Sequence, residues 1–201
     1  MSWIRSRDRR TAERVAAADG CPFPAGVRHR FGLAHGDLDT YAVARVQDAC
    51  RQWFRLAARR PSAALSMPSV VVDDLWREMV RDTRNYAEFC AAAFGRPFPR
   101  PPAPEADRPA RLATTLRLAQ QDEHCPPAAL PLLFRIDREL GVPGGGHYLA
   151  DCGGGRDVCH RLPGATCLRH ITGIRYTRRW PGQFESTSPP TGSDLGGGYV
   201  P

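Results

Sequence analysis

Lysine is missing from this chain of 201 residues: all 28 of its Lys and Arg positions are arginine. A coding sequence biased toward Arg codons accounts for that without any ligand, and the formal net charge of +7 sets only a preference for acidic partners. Arg5, Arg7, Arg9, Arg10 and Arg14 make a basic N-terminal arm, and Arg51, Arg55 and Arg59 run at i, i+4 spacing along one helical edge that could lie on phosphates. The motifs of a nucleic-acid reader are absent, since there is no helix-turn-helix, no RNA-recognition signature and no interleaving of aromatics. Long apolar runs are missing too. Nothing approaches the roughly 18 residues a membrane-crossing helix needs, and the opening MSWIRSRDRRTAERVAAADG lacks the unbroken apolar stretch of a signal peptide. A cytoplasmic protein without a membrane partner is expected. Period-two alternation is confined to a weak trace over His170 to Tyr176, which argues against sandwich and barrel folds, and no internal repeat is present.

Helical periodicity, by contrast, is strong. Val72, Trp76, Met79, Thr83, Tyr86, Cys90 and Ala93 alternate in steps of four and three, with Ser69 as N-cap and Gly95 as stop, so one amphipathic helix is predicted from Ser69 to Phe94. Asp39 caps a helix over Thr40 to Arg59, and two further helices are predicted over Asp107 to Asp122 and Ala128 to Leu140. The same spacing predicts burial of Trp53, Trp76, Tyr86, Phe89, Leu116, Leu133 and Ile136. The fold class that follows is all-α: a compact core of four or five helices with an irregular Gly/Cys-rich C-terminal extension. Its organisation reads as a basic arm over 1–21, a helical domain over 22–150, a Gly/Cys/His segment over 151–182 and a disordered tail over 183–201. Within the domain, Arg96 to Pro109 is a Pro-rich surface linker, and Gly144–Gly145–Gly146 and Gly153–Gly154–Gly155 read as flexible connectors. Neither triplet follows a hydrophobic strand or opens a helix, as a phosphate loop would.

V-D-x-x-W at Val72 to Trp76, followed by Tyr86, Phe89–Cys90 and Gly95–Arg96, resembles the glycine-rich domain-containing protein-like family, and the similarity extends over roughly Pro22 to Cys152. In that family a His commonly follows the Trp and further His residues follow the Gly. The resemblance implies a divalent-metal or acid–base site at that place, but here the positions hold Arg77, Pro99 and Arg100. Guanidinium neither binds a metal nor serves as a base near neutral pH, so Asp73 and Arg77 are expected to form only a surface ion pair.

Seven cysteines remain. Cys50, Cys90 and Cys125 fall in or at the ends of helices, where a thiol acts as a small hydrophobe, and Cys21 stays undecided in a loop. An odd number without a secretion signal favours reduced thiols over a disulfide framework. Cys152, Cys159, Cys167 and His170, with His160 as the alternative imidazole, have the donor chemistry of a tetrahedral zinc shell, and the Cys167-x-x-His170 step lets two ligands from one turn reach one ion. Against it stands the loose spacing of Cys152 and Cys159. Asp122–Glu123–His124–Cys125 has the composition of a nucleophile and base, but neighbours on a helix diverge by about 100°, so no catalytic residue is assigned. The reading is a non-enzymatic, partner-binding helical module, with an unidentified protein as partner. Its alternative is a zinc-binding protein, and an enzyme of unknown reaction stands third.

Overall fold

The computed structural model describes residues 2–99, 107–126, 128–152 and 165–172; Arg100, Cys159, His160 and the tail over 183–201 lie outside them. Its elements are α1 (Ser2–Asp19), α2 (Ala25–Ala34), α3 (Thr40–Arg59), α4 (Val70–Arg81), α5 (Thr83–Phe94), α6 (Arg108–Glu123), α7 (Leu132–Glu139), β1 (Tyr148–Leu149), β2 (Thr166–Cys167) and α8 (Leu168–Thr172). The protein is helical, as the periodicity requires.

Helix α3 is the hub, and α1, α4, α5, α6 and α7 all pack on it. Its start is fixed by the Asp39 carboxylate, which accepts from the Ala42 amide at 2.7 Å. Val46, Ala49, Cys50, Trp53, Phe54, Leu56 and Ala57 then point into the core. Phe54 packs on Trp76, Phe89 and Phe94, with the Trp76 ring edge-on at a centroid distance of 6.3 Å. Every residue expected in the core from the spacing, Trp53, Trp76, Tyr86, Phe89, Leu116, Leu133 and Ile136, is buried.

Several expectations need correction. The helix expected from Ser69 to Phe94 is two helices, broken at Asp82, whose ψ of 70° is non-helical and whose carboxylate accepts from Asn85 Nδ2 at 2.9 and 3.0 Å. Short polar side chains favour such caps over helix interiors. The bend lets Trp76 Nε1 donate to the Tyr86 hydroxyl at 2.8 Å, and that hydroxyl donates to the Phe98 carbonyl at 2.6 Å. Helix α7 begins at Leu132 rather than Ala128 because Pro131 disfavours helical geometry at Leu130. Of the weak alternation over His170 to Tyr176, residues 170–172 are helical, in α8, and 173–176 lie outside the described residues; the short parallel ladder pairs Tyr148 with Thr166 and Leu149 with Cys167.

The glycine triplet at 144–146 is no flexible connector. Gly144 has φ 68°, and a Cβ at Gly145 would stand 2.7 Å from Asp137 Cβ. At Gly146 a Cβ would meet Tyr148 Cε2 at 2.4 Å and the Pro68 carbonyl at 2.7 Å. The close approach serves Asp137, which is buried and accepts from Ser69 Oγ at 2.6 Å, the Val70 amide at 2.8 Å, the Val71 amide at 3.3 Å and the Gly146 amide at 2.8 Å. One carboxylate thus caps α4 and anchors the chain entering β1.

The stretch read as a basic arm is helix α1, docked on α3 and α5. Its Ala18 is fully buried, and Arg14 lies against Gly95, the left-handed C-cap of α5. The arginine stripe on α3 is likewise occupied within the fold. Arg51 pairs with Asp48 and lies over the Phe23 ring, Arg55 binds Asp19 at 2.6 Å and Asp122 at 2.7 Å, and Arg59 binds Asp122 at 2.8 Å. These pairs tie α3 to α1 and α6, so the stripe is not a bare cationic edge.

Candidate metal centre

Cys152, Cys167 and His170 converge although they come from two separate segments. The β1–β2 ladder causes this: β1 ends three residues before Cys152, and its parallel partner ends on Cys167. The chain turns at once into α8, which sets His170 one helical turn beyond Cys167 on the same side. The Thr166 amide donates to the His147 carbonyl at 2.7 Å and the Arg169 amide to the Ala150 carbonyl at 3.3 Å, so the two segments are held along their length. Arg169 also binds the Asp151 carboxylate at 2.9 Å.

One ligand atom from each of the three residues lies within 4.8 Å of the others, and Cys152 Sγ stands 3.5 Å from His170 Nδ1. Zinc bonds of roughly 2.0–2.3 Å at tetrahedral angles place neighbouring ligands roughly 3.3–3.8 Å apart. The Cys152–His170 separation already has that value, while the group as a whole is looser than the ~4 Å of a closed shell. Cys167 is buried and the other two are half-buried, so a metal there would be partly shielded. Of the five residues expected to form the site, these three are brought together; Cys159 and His160 fall outside the described residues. Helical periodicity carries no sign of this convergence, because the proximity of Cys152 to Cys167 depends on strands of two residues each.

Among the described residues the other thiols join no metal-ligating group. Burial pushes Cys21 up to about 12 in spite of the nearby Arg51, and burial likewise raises Cys50 and Cys90. Cys21, undecided from the sequence, is a core residue, whereas Cys125 is only half-buried.

At the corner where the family resemblance implied a site, Arg77 stands 3.5 Å from Asp73 and, closer, 2.7 Å from Asp74. His35, at the end of α2, adds its Nε2 at 3.3 Å from Asp74, a contact between remote segments that no local motif announces. In the Asp122–Cys125 run the first three residues hold contacts within the fold. Asp122 holds Arg55 and Arg59, Glu123 accepts from the Leu132 amide at 2.6 Å and pairs with Arg135, and His124 caps α6 with φ 54°.

A family model described as UCP032817-like matches residues 13–171. The chain belongs to the UCP032817-like family. That name records no activity, but the match runs from within α1 to within α8 and so takes in the whole Cys/His cluster of this UCP032817-like protein. No curated protein and no solved structure matches the chain. Among its described residues no helix is long and apolar enough to cross a membrane.

Proposed function

We propose that this protein binds one zinc ion through Cys152, Cys167 and His170, with Cys159 or, in its place, His160 completing the shell, and that the metal is structural. The observation that carries the reading is the convergence of two thiols and an imidazole within 4.8 Å across the β1–β2 ladder. Soft sulfur and imidazole donors suit zinc. The neighbouring carboxylate, Asp151, is held by Arg169 and so is not poised as a general base. Protein purified under reducing conditions without chelator should carry close to one equivalent of zinc by elemental analysis. Cys152→Ser and Cys167→Ser should lose it, and Cys125→Ser should keep it. A zinc-free wild type that takes up none on addition would reject the reading.

A second reading, a non-enzymatic module that docks a protein partner, is supported by an apolar cavity of about 610 Å³ lined by Val80, Ala87, Cys90, Ala91 and Phe98. A protein that binds there should lose affinity about tenfold or more on Ala91→Arg; unchanged affinity would sink this reading. A reducing, cytoplasmic setting belongs to the same proposal and is supported by the unoxidised thiols of Cys21, Cys50, Cys90, Cys125 and Cys167. Kinship with the glycine-rich domain-containing protein-like family belongs to the same proposal and is supported by the V-D-x-x-W, Tyr86, Phe89–Cys90 and Gly95–Arg96 pattern, of which Trp76 donates to the Tyr86 hydroxyl at 2.8 Å.

A further inference from the structure

We infer that the Cys/His site is a latch: metal binding at Cys152, Cys167 and His170 and the docking of α8 onto α6 are one coupled event, and loss of the metal uncovers the apolar face of α6. The inference rests on the zinc reading and extends it to what the metal controls.

Segment 165–172 has little structure of its own to keep it in place. Helix α8 has five residues, far short of the roughly 12 at which an isolated helix becomes even marginally stable. The ladder that joins β2 to β1 is two residues long, and a two-stranded pair is marginal in water even when longer. Yet this segment is seated in the core: Leu168 is fully buried, Cys167 nearly so, and α8 packs on α6, whose Leu112, Leu116, Leu118 and Ala119 are buried. The ligands bracket the anchor. Cys167 immediately precedes Leu168 and His170 follows it by two, while Cys152 lies on the segment leading out of β1, which Tyr148 pins by donating its hydroxyl to the Pro68 carbonyl at 3.1 Å. A shell closed around one ion therefore holds Leu168 down. By linkage, docking of Leu168 tightens metal binding by the same factor by which metal tightens docking.

The test uses the full chain in zinc-loaded and chelator-treated forms, followed by hydrogen exchange. Zinc removal should speed exchange by about tenfold or more in 166–172 and raise it in α6, with α3 and α4 unchanged. Leu168→Ala, checked for retained helical content, should lower zinc affinity by about tenfold or more in competition with a chromophoric chelator. Stoichiometric zinc with identical exchange in both forms would overturn the latch and leave the zinc reading standing, as would an unchanged affinity in Leu168→Ala. Failure to bind zinc at all would overturn both.

Discussion

Replacing Asp137 by Ala should be among the most damaging single changes in this protein. The side chain is 1% exposed and receives four hydrogen bonds, three from the start of α4 and one from Gly146. Each donor left buried without a partner costs about 1–3 kcal/mol. The sum is not realised in full, because Ser69 Oγ still accepts from the Val72 amide at 3.2 Å and the first turn of α4 can relax toward water. About 3–5 kcal/mol remains, at the upper end of single-residue effects. For a chain of this size each kcal/mol lowers Tm by about 2–4 °C, so Asp137→Ala should melt roughly 6–20 °C below wild type. Asp137→Asn keeps the shape but turns a carboxamide NH2 toward N–H and O–H donors, and about 2–3 kcal/mol should be lost. Urea unfolding followed by tryptophan fluorescence and far-UV circular dichroism measures both. A loss below about 1 kcal/mol for Asp137→Ala would refute the argument that this carboxylate caps α4 and anchors the glycine loop.

Burial alone would raise the Asp122 carboxyl, but hydrogen bonds and charge from Arg55 and Arg59 outweigh it and hold it below its usual range. A lowered folded pKa gives stability that is present above the unfolded value near ~3.9 and lost as pH falls through the folded one. Asp122→Asn should therefore flatten the acid limb of a stability–pH curve and cost about 3 kcal/mol at neutral pH; an unchanged acid limb would contradict the pairing. Gly146→Ala should destabilise by about 1–3 kcal/mol through its clash with Tyr148 and the Pro68 carbonyl. Gly32→Ala, in α2 with open space around it, should stabilise by about 0.4–1 kcal/mol, and equal denaturation midpoints for the two would remove the distinction. In native protein at pH 8, Cys21, Cys50 and Cys90 should stay silent to a thiol reagent because they are buried, whereas half-buried Cys125, although desolvation raises its pKa too, is accessible and should react. Reaction of Cys50 as fast as Cys125 would contradict the burial.

What could be read from the residues alone depended on how local its cause was. Helix α3 has the bounds expected of it, and α6 lies within one residue of them, because Asp39 marks the start of α3 and apolar spacing carries the rest. Helix α1 was not legible as a core element because the part of it that packs inward among the described side chains is Val15, Ala17 and Ala18, a weak apolar signal crowded by arginine. The break at Asp82 left the apolar stripe in step on both sides, so only its polar residues hinted at it. Gly145 and Gly146 were opaque for a different reason: Asp137, Tyr148 and Pro68 define their need for glycine, and that is a tertiary fact. The donor chemistry of Cys152, Cys167 and His170 was visible in the sequence, while their meeting depended on a ladder too short to leave a pattern.

The most direct measurement of the central claim is X-ray absorption at the zinc edge on the purified full-length chain. The account predicts a four-coordinate shell with at least two sulfurs at about 2.3 Å and at least one imidazole nitrogen at about 2.0 Å. Cys152→Ser, which should lose the metal, should give no zinc edge above background. A shell of oxygen and nitrogen alone, or a protein that holds no zinc, would contradict it.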